Sequence, residues 1–249
     1  MPQYSCLWSS PLPRLVLPTD EVHVWRTSLD QPELVLRRLR TTLSADEAAR
    51  AACFHFERDR RRFIVARGVL RAILAYYLDL APEDIQFSYG PQNKPALVDT
   101  RQNNNLQFNL SHSQNQALYA FACNREIGVD IEQIRAMSNA EGIARRFFSA
   151  RENAVFQALL PQQRNEGFFN CWTRKEAYIK ALGDGLSHPL GTFDVSLRPG
   201  EPAALLAVRG DPGEVSRWSI RALTPVPGYV AALVVEGHGW TLKCWHWEA

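Results

Sequence analysis

Two carboxylates stand two residues apart in Gly128-Val129-Asp130-Ile131-Glu132. Side chains alternate along a strand, so Asp130 and Glu132 share one face while Val129 and Ile131 share the other. Like charges on one face repel unless a cation lies between them, and paired oxygen ligands make half a site for a hard divalent metal. The plainer reading is a solvated strand face. Gly128 leaves room beside the pair for a ligand or another backbone to come close.

A second run, Trp172-Thr173-Arg174-Lys175-Glu176-Ala177-Tyr178-Ile179-Lys180, sets Glu176 and Lys180 one helical turn apart, with Trp172 one turn earlier on the same stripe. An ordinary surface ion pair with a tryptophan anchor has the same spacing. A third, Phe108-Asn109-Leu110-Ser111-His112-Ser113, is an apolar strand ending in Ser-His-Ser. Turn chemistry alone accounts for such an ending. No G-x-S-x-G elbow surrounds Ser111. Adjacent strand residues face opposite ways, so Ser111 and His112 suit two phosphate-binding donors better than a nucleophile and its base.

Other features read more simply. The run Arg58-Asp59-Arg60-Arg61-Arg62 could meet a phosphate or an acidic protein, but such runs are commonly solvated helix faces. Phe147 and Phe148 read as core, as do Trp240, Trp245 and Trp247. Histidines 23, 55, 188, 238 and 246 have no metal-ligand spacing.

The elements that must position these groups follow from periodicity. A strand is predicted at 21–25, helices at 45–56 (with a Ser44/Glu47 capping box) and 59–78, and strands at 106–110, 117–123 and 127–131. Helices are predicted at 143–148, 150–160 and 165–182, and strands at 189–197, 204–208, 217–222, 230–235 and 241–247. A turn is predicted at Asn103 to Asn105. Helices and antiparallel strands in both halves make an α+β protein rather than a Rossmann alternation. The natural boundary falls near Asn124, giving an N-terminal half, 1–124, and a C-terminal half, 125–249, that carries the metal site.

The chain of 249 residues has 28 basic and 26 acidic side chains, a net charge of +2, which does not mark a nucleic-acid protein. No apolar run reaches the roughly 18–20 residues of a membrane span. Pro11, Pro13 and Pro18 break the N-terminal apolar stretch, a poor secretory signal. Five scattered cysteines include no C-x-x-C pair, so the thiols are expected to be reduced in a cytoplasm.

In this order, the segments resemble the 4′-phosphopantetheinyl transferases of the longer, surfactin-synthetase-activating (Sfp) type. The likeness rests on Asn93-Lys94-Pro95, Phe108 to Ser113, Ile127 to Glu132, Arg146-Phe147-Phe148-Ser149 with Glu152, and Trp172 to Lys180 with Gly183. It implies two similar α+β halves related by pseudo-twofold symmetry, each with an antiparallel sheet and packed helices. It implies transfer of the phosphopantetheine arm of coenzyme A to a serine of an apo acyl or peptidyl carrier protein, with release of adenosine 3′,5′-bisphosphate. A monomer using Mg²⁺ or Mn²⁺ is expected.

On this resemblance, Asp130, Glu132 and Glu176 hold the metal. Glu176 serves as ligand or as general base, and Lys180 contacts the diphosphate. Arg50, Lys94, Ser111 and His112 take the nucleotide end of coenzyme A. Two departures stand out: Asn93 replaces a common glycine, and Glu47 occupies a position where lysine is common. The same carboxylates would also suit a metal-dependent phosphodiesterase, and a non-catalytic carrier-binding module is the third reading.

Overall fold

The computed structural model describes residues 7–11, 15–90, 94–98, 105–183 and 188–249. Asn93, Asn103, Asn104 and Cys6 lie outside them. In the N-terminal half, β1 (Trp8–Ser9) and β2 (Glu21–Ser28) precede three helices, α1 (Glu33–Thr41), α2 (Ala45–Ala52) and α3 (Glu57–Leu78). A hairpin of β3 (Phe87–Tyr89) and β4 (Pro95–Leu97) leads to β5 (Leu106–Ser113) and β6 (Gln116–Cys123). Next come β7 (Ile127–Gln133), α4 (Ala140–Phe147), α5 (Ala150–Gln157), α6 (Pro161–Leu182), and a hairpin of β8 (Phe193–Val195) and β9 (Leu205–Val208). The short α7 (Glu214–Arg217), then β10 (Trp218–Leu223), β11 (Tyr229–Glu236) and β12 (Thr241–His246) complete the chain.

The mixed α+β architecture expected from the sequence is present. One sheet has the order β1-β12-β2-β6-β5 and a second the order β10-β11-β7. A cut near Asn124 separates these sheets except for one strand. β12 crosses back and lies parallel to β2, so residues 241–246 belong with the N-terminal half's sheet.

Apolar alternation explains the stacking. Val22, Val24, Leu118 and Ala120 from the first sheet meet Val129, Ile131, Leu233 and Val235 from the second in one buried cluster. The opposite face of the second sheet, with Ala232 and Val234, packs under α6 residues such as Ala177 and Ala181. Asp130 lies opposite Ala232 in the β7–β11 register, so the carboxylates sit on the α6 side. Proline at the first turn starts α6, and Gly183 in the left-handed region (φ +80°) ends it.

Cys53, Cys123 and Cys171 are free thiols, but Cys244 is disulfide-bonded, which corrects the expectation of reduced cysteines throughout. Among the described residues no helix is long and apolar enough to cross a membrane.

Candidate active site at the junction of two sheets

β5 and β7 belong to different sheets and lie side by side, and side chains do the joining where no ladder exists. Three alternate residues of β5 point across the seam. The Asn109 side-chain carbonyl accepts from the Val129 N–H at 2.9 Å. Ser111 Oγ donates to Asp130 Oδ1 at 2.7 Å. Ser113 Oγ donates to Glu132 Oε2 at 2.7 Å and accepts from the Gln133 N–H at 3.2 Å.

The helix arrives from the other side because Gly128 lets it. A Cβ at Gly128 would lie 2.0 Å from the Ala177 carbonyl oxygen and 2.5 Å from the Ala181 nitrogen. The close neighbour that the sequence left open, ligand or backbone, is therefore the α6 backbone. That approach puts Lys180 Nζ 2.6 Å from Asp130 Oδ1 and 3.0 Å from Ser111 Oγ.

Lys175, next to Glu176, points the opposite way. It is fully buried and donates to the carbonyls of Leu190 and Phe193 and to Glu152 Oε2, at 2.7, 2.7 and 2.8 Å. Glu152 also closes a capping box with Ser149 and accepts from the Val195 N–H at 2.7 Å. The Phe-Phe-Ser-x-x-Glu segment thus locks the rotation of α6 about its axis, and Glu176 is left facing the seam. Phe148 is buried in the same core, while Phe147 meets the Trp172 ring edge-on at 5.8 Å.

Burial pushes the Glu176 carboxyl up to about 7; repulsion from Asp130 and Glu132 adds to this and Lys180 opposes it. Burial also raises Glu132 above the usual carboxylate range, against the pull of its bond from Ser113. Three acids and one ammonium therefore share one electrostatic neighbourhood.

Two buried carboxylate oxygens there, Asp130 Oδ2 and Glu176 Oε1, have no hydrogen-bond partner among the described residues. Buried oxygens without a donor cost free energy, and a cation is one way to offset it. Among the described residues no group of three or more His, Cys, Asp or Glu is gathered in a way that could hold a metal ion by itself. Mg²⁺ commonly takes only one or two protein carboxylates, with water and substrate phosphate completing its shell. Asp130 and Glu176 fit that requirement, with Glu132 beside them.

The residues expected at the nucleotide end separate. Lys94 Nζ donates to the Lys180 carbonyl at 2.8 Å, tying the β3–β4 hairpin to the last turn of α6, and burial lowers its pKa. His112 lies at the seam's rim, on the other face of β5 from Ser111. Desolvation first, then Lys180, push its pKa below the ordinary imidazole value. Arg50 is exposed, its guanidinium 5.9 Å from the centre of the Phe63 ring.

Sequence reasoning missed Arg67. It lies 5.8 Å from the same Phe63 ring and 5.7 Å from that of Tyr89. Arg67 is nearly buried, and its Nη1 has no hydrogen-bond partner among the described residues. Its signal was an arginine inside the apolar stripe of α3. Glu47 is explained too: it pairs with Arg71 at 2.7 Å, both buried, and closes the α2 capping box. The arginines of the 58–62 run each meet a carboxylate: Asp59, Glu57, Glu33 and Asp30 for Arg58, Arg60, Arg61 and Arg62. Arg58 is exposed, while Arg60, Arg61 and Arg62 are half-buried.

Comparison with known proteins matches both halves of the chain. Residues 126–234 match the 4′-phosphopantetheinyl transferase superfamily, and residues 23–124 match the family described as 4′-phosphopantetheinyl transferase, N-terminal. The 4′-phosphopantetheinyl transferase HetI of Nostoc sp. is 45% identical over 240 residues, 96% of this chain and 98% of that protein. The 4′-phosphopantetheinyl transferase Sfp of Bacillus subtilis is 31% identical over 160 residues, 64% of this chain and 69% of that one. Among solved structures, Thermotoga maritima holo-[acyl-carrier-protein] synthase aligns with 45% of this chain and 62% of its own, at 25% identity and a TM-score of 0.37. With both halves matched and a near full-length relative at this identity, the chain belongs to the 4′-phosphopantetheinyl transferase superfamily and is an enzyme of the Sfp type.

Proposed function

We propose that the enzyme moves the 4′-phosphopantetheine arm of coenzyme A onto a serine hydroxyl of an apo acyl or peptidyl carrier protein, with Mg²⁺ or Mn²⁺. The serine oxygen forms a bond to the pantetheine-side phosphorus, the bond from that phosphorus to the bridging oxygen breaks, and adenosine 3′,5′-bisphosphate leaves. The barrier is electrostatic, since negative charge builds on the leaving group. Asp130, Glu132 and Glu176 would hold the ion, which when bound neutralises and orients the diphosphate.

The chain's own groups do the rest. Lys180 supplies positive charge at the diphosphate, Ser111, its proton given to Asp130, holds that carboxylate in place, and His112, on the other face of β5, is a hydrogen-bonding group for the nucleotide end. Lys94, bonded to the Lys180 carbonyl, extends the basic lining towards the β3–β4 hairpin. Arg67, beside Tyr89 of that hairpin, and Arg50 form the far anion-binding end. In the same reading Glu176 takes the serine proton, a role that competes with holding the ion, since a ligating carboxylate is a weakened base. The enzyme acts, on this reading, as a cytoplasmic monomer.

The observation that carries the proposal is Asp130, one oxygen held by Lys180 and Ser111 and the other buried with no donor among the described residues. The test incubates the protein with coenzyme A, Mg²⁺ and an apo-carrier, then weighs the carrier. A gain of one phosphopantetheine supports transfer. Loss of coenzyme A with no gain on the carrier would make the enzyme a hydrolase instead.

A further inference from the structure

We infer that Ser113 is a positioning residue for the transfer reaction: its hydroxyl, fixed by the Gln133 N–H, aims Glu132 at the divalent cation. The inference rests on the metal reading of Asp130, Glu132 and Glu176 given above. Ser113 is nearly buried and is the last residue of β5. Its Oγ spends its proton on Glu132 Oε2 and accepts from the Gln133 N–H, so the hydroxyl has one orientation. One Glu132 oxygen is thereby occupied and the other is left for a further partner.

The anchor is braced from several sides. A tight turn with positive φ at Gln114 follows Ser113 directly. Its second residue, Asn115, accepts from Tyr229 Oη at 3.0 Å and, through its carbonyl, from the Leu29 N–H at 2.7 Å. Tyr229 in turn lies opposite Gln133 in the β7–β11 register. Ser113, Gln133, Tyr229 and Asn115 form a closed circuit, so movement of the hydroxyl would disturb two sheets at once. At the other end of the seam, Asn109 does the corresponding work on the Val129 N–H. Groups that orient a ligating carboxylate are worth about 10–100-fold in metal affinity or activity.

The test compares Ser113→Thr with Ser113→Val. The two replacements match in shape, suit a strand, and differ in the hydroxyl. Mn²⁺ binding in the presence of coenzyme A is read from the electron paramagnetic resonance signal of the free ion, with a protein-free sample correcting for Mn²⁺ held by coenzyme A. Thermal melting and the KM for coenzyme A are measured alongside. Ser113→Thr should bind Mn²⁺ like the unaltered enzyme, and Ser113→Val about tenfold or more weaker. Equal Mn²⁺ affinity of the two variants would overturn the assignment. Asp130→Asn separates the two failures. If the unaltered enzyme binds Mn²⁺ no better than Asp130→Asn, the metal reading itself fails and the inference with it. If Asp130→Asn loses the ion while the Thr and Val variants match, only the role of Ser113 falls.

Discussion

Lys180 on α6 holds one oxygen of Asp130 on β7 at 2.6 Å, and the other oxygen of the same carboxylate is buried with no hydrogen-bond donor among the described residues. One side chain is thus half neutralised from within and half open to an outside charge. Replacing Lys180 with Met should leave Asp130 less well compensated and remove the cation proposed to face the diphosphate. Transfer should fall by about 10²–10³-fold, the cost of losing one preorganised donor. Initial rates at saturating coenzyme A and carrier measure it; a loss below tenfold would exclude Lys180 from charge stabilisation.

Glu176→Gln should lower transfer by at least about 10²-fold while the fold persists, because it removes a base and a ligand oxygen together. Carrier mass and circular dichroism on the same sample read both quantities. Near-normal turnover would remove Glu176 from both roles.

The raised Glu176 pKa has a sign that can be tested. Folded metal-free protein keeps this proton up to about 7, whereas the unfolded chain releases it near 4.5. Between those values the unfolded state binds fewer protons, so this group's contribution to stability is full below about 4.5 and falls as pH rises towards 7. The slope is at most about 1.4 kcal/mol per pH unit. Urea unfolding of the metal-free enzyme at several pH values should show this component, and Glu176→Gln should flatten it. Mg²⁺ should reverse the trend, since binding the ion displaces the proton.

Gly128→Ala should be damaging out of proportion to one methyl group. The clash is with helix backbone on two atoms, which cannot rotate away, so α6 must move off β7. Overpacking of this kind costs about 1–3 kcal/mol. Thermal melting should drop, and the surviving folded fraction should still transfer poorly because Glu176 and Lys180 have moved with the helix. A variant with unchanged melting and rate would show that the helix tolerates the shift.

Arg67→Gln should raise the KM for coenzyme A by about tenfold or more, the worth of a charge-assisted hydrogen bond of about 1.5–3 kcal/mol. It should change the KM for 3′-dephospho-coenzyme A much less. Equal effects on both substrates would place Arg67 away from the 3′-phosphate.

Long periodic elements were readable from sequence because their apolar faces are unambiguous. The helix predicted at 59–78 is observed as Glu57–Leu78, and the strand at 117–123 as Gln116–Cys123. Helix α1 was not anticipated: Pro32 precedes it with no side-chain cap, and only Leu36 and Leu39 are buried. β1, β3 and β4 have two or three residues each, too few to alternate visibly. At the site, strand and helix periodicity put Asp130 with Glu132 and Glu176 with Lys180. Periodicity does not say which partner a charge will take. So the Lys180–Asp130 bond, the binding of Lys94 to a helix carbonyl, and the isolation of Arg67 emerged only in three dimensions. Glu47 shows the limit most clearly: a charged residue in a helix's first turn, it serves the core with Arg71.

The return of β12 into the first sheet has a consequence for biogenesis. During synthesis on a ribosome, β2 waits with an open edge until residues 241–246 emerge, some two hundred positions later. Its unpaired amides and carbonyls are a template for intermolecular pairing throughout that delay. Chains truncated before Thr241 should therefore be more aggregation-prone than released chains that include Thr241 to His246, which can close the sheet that carries Ser111.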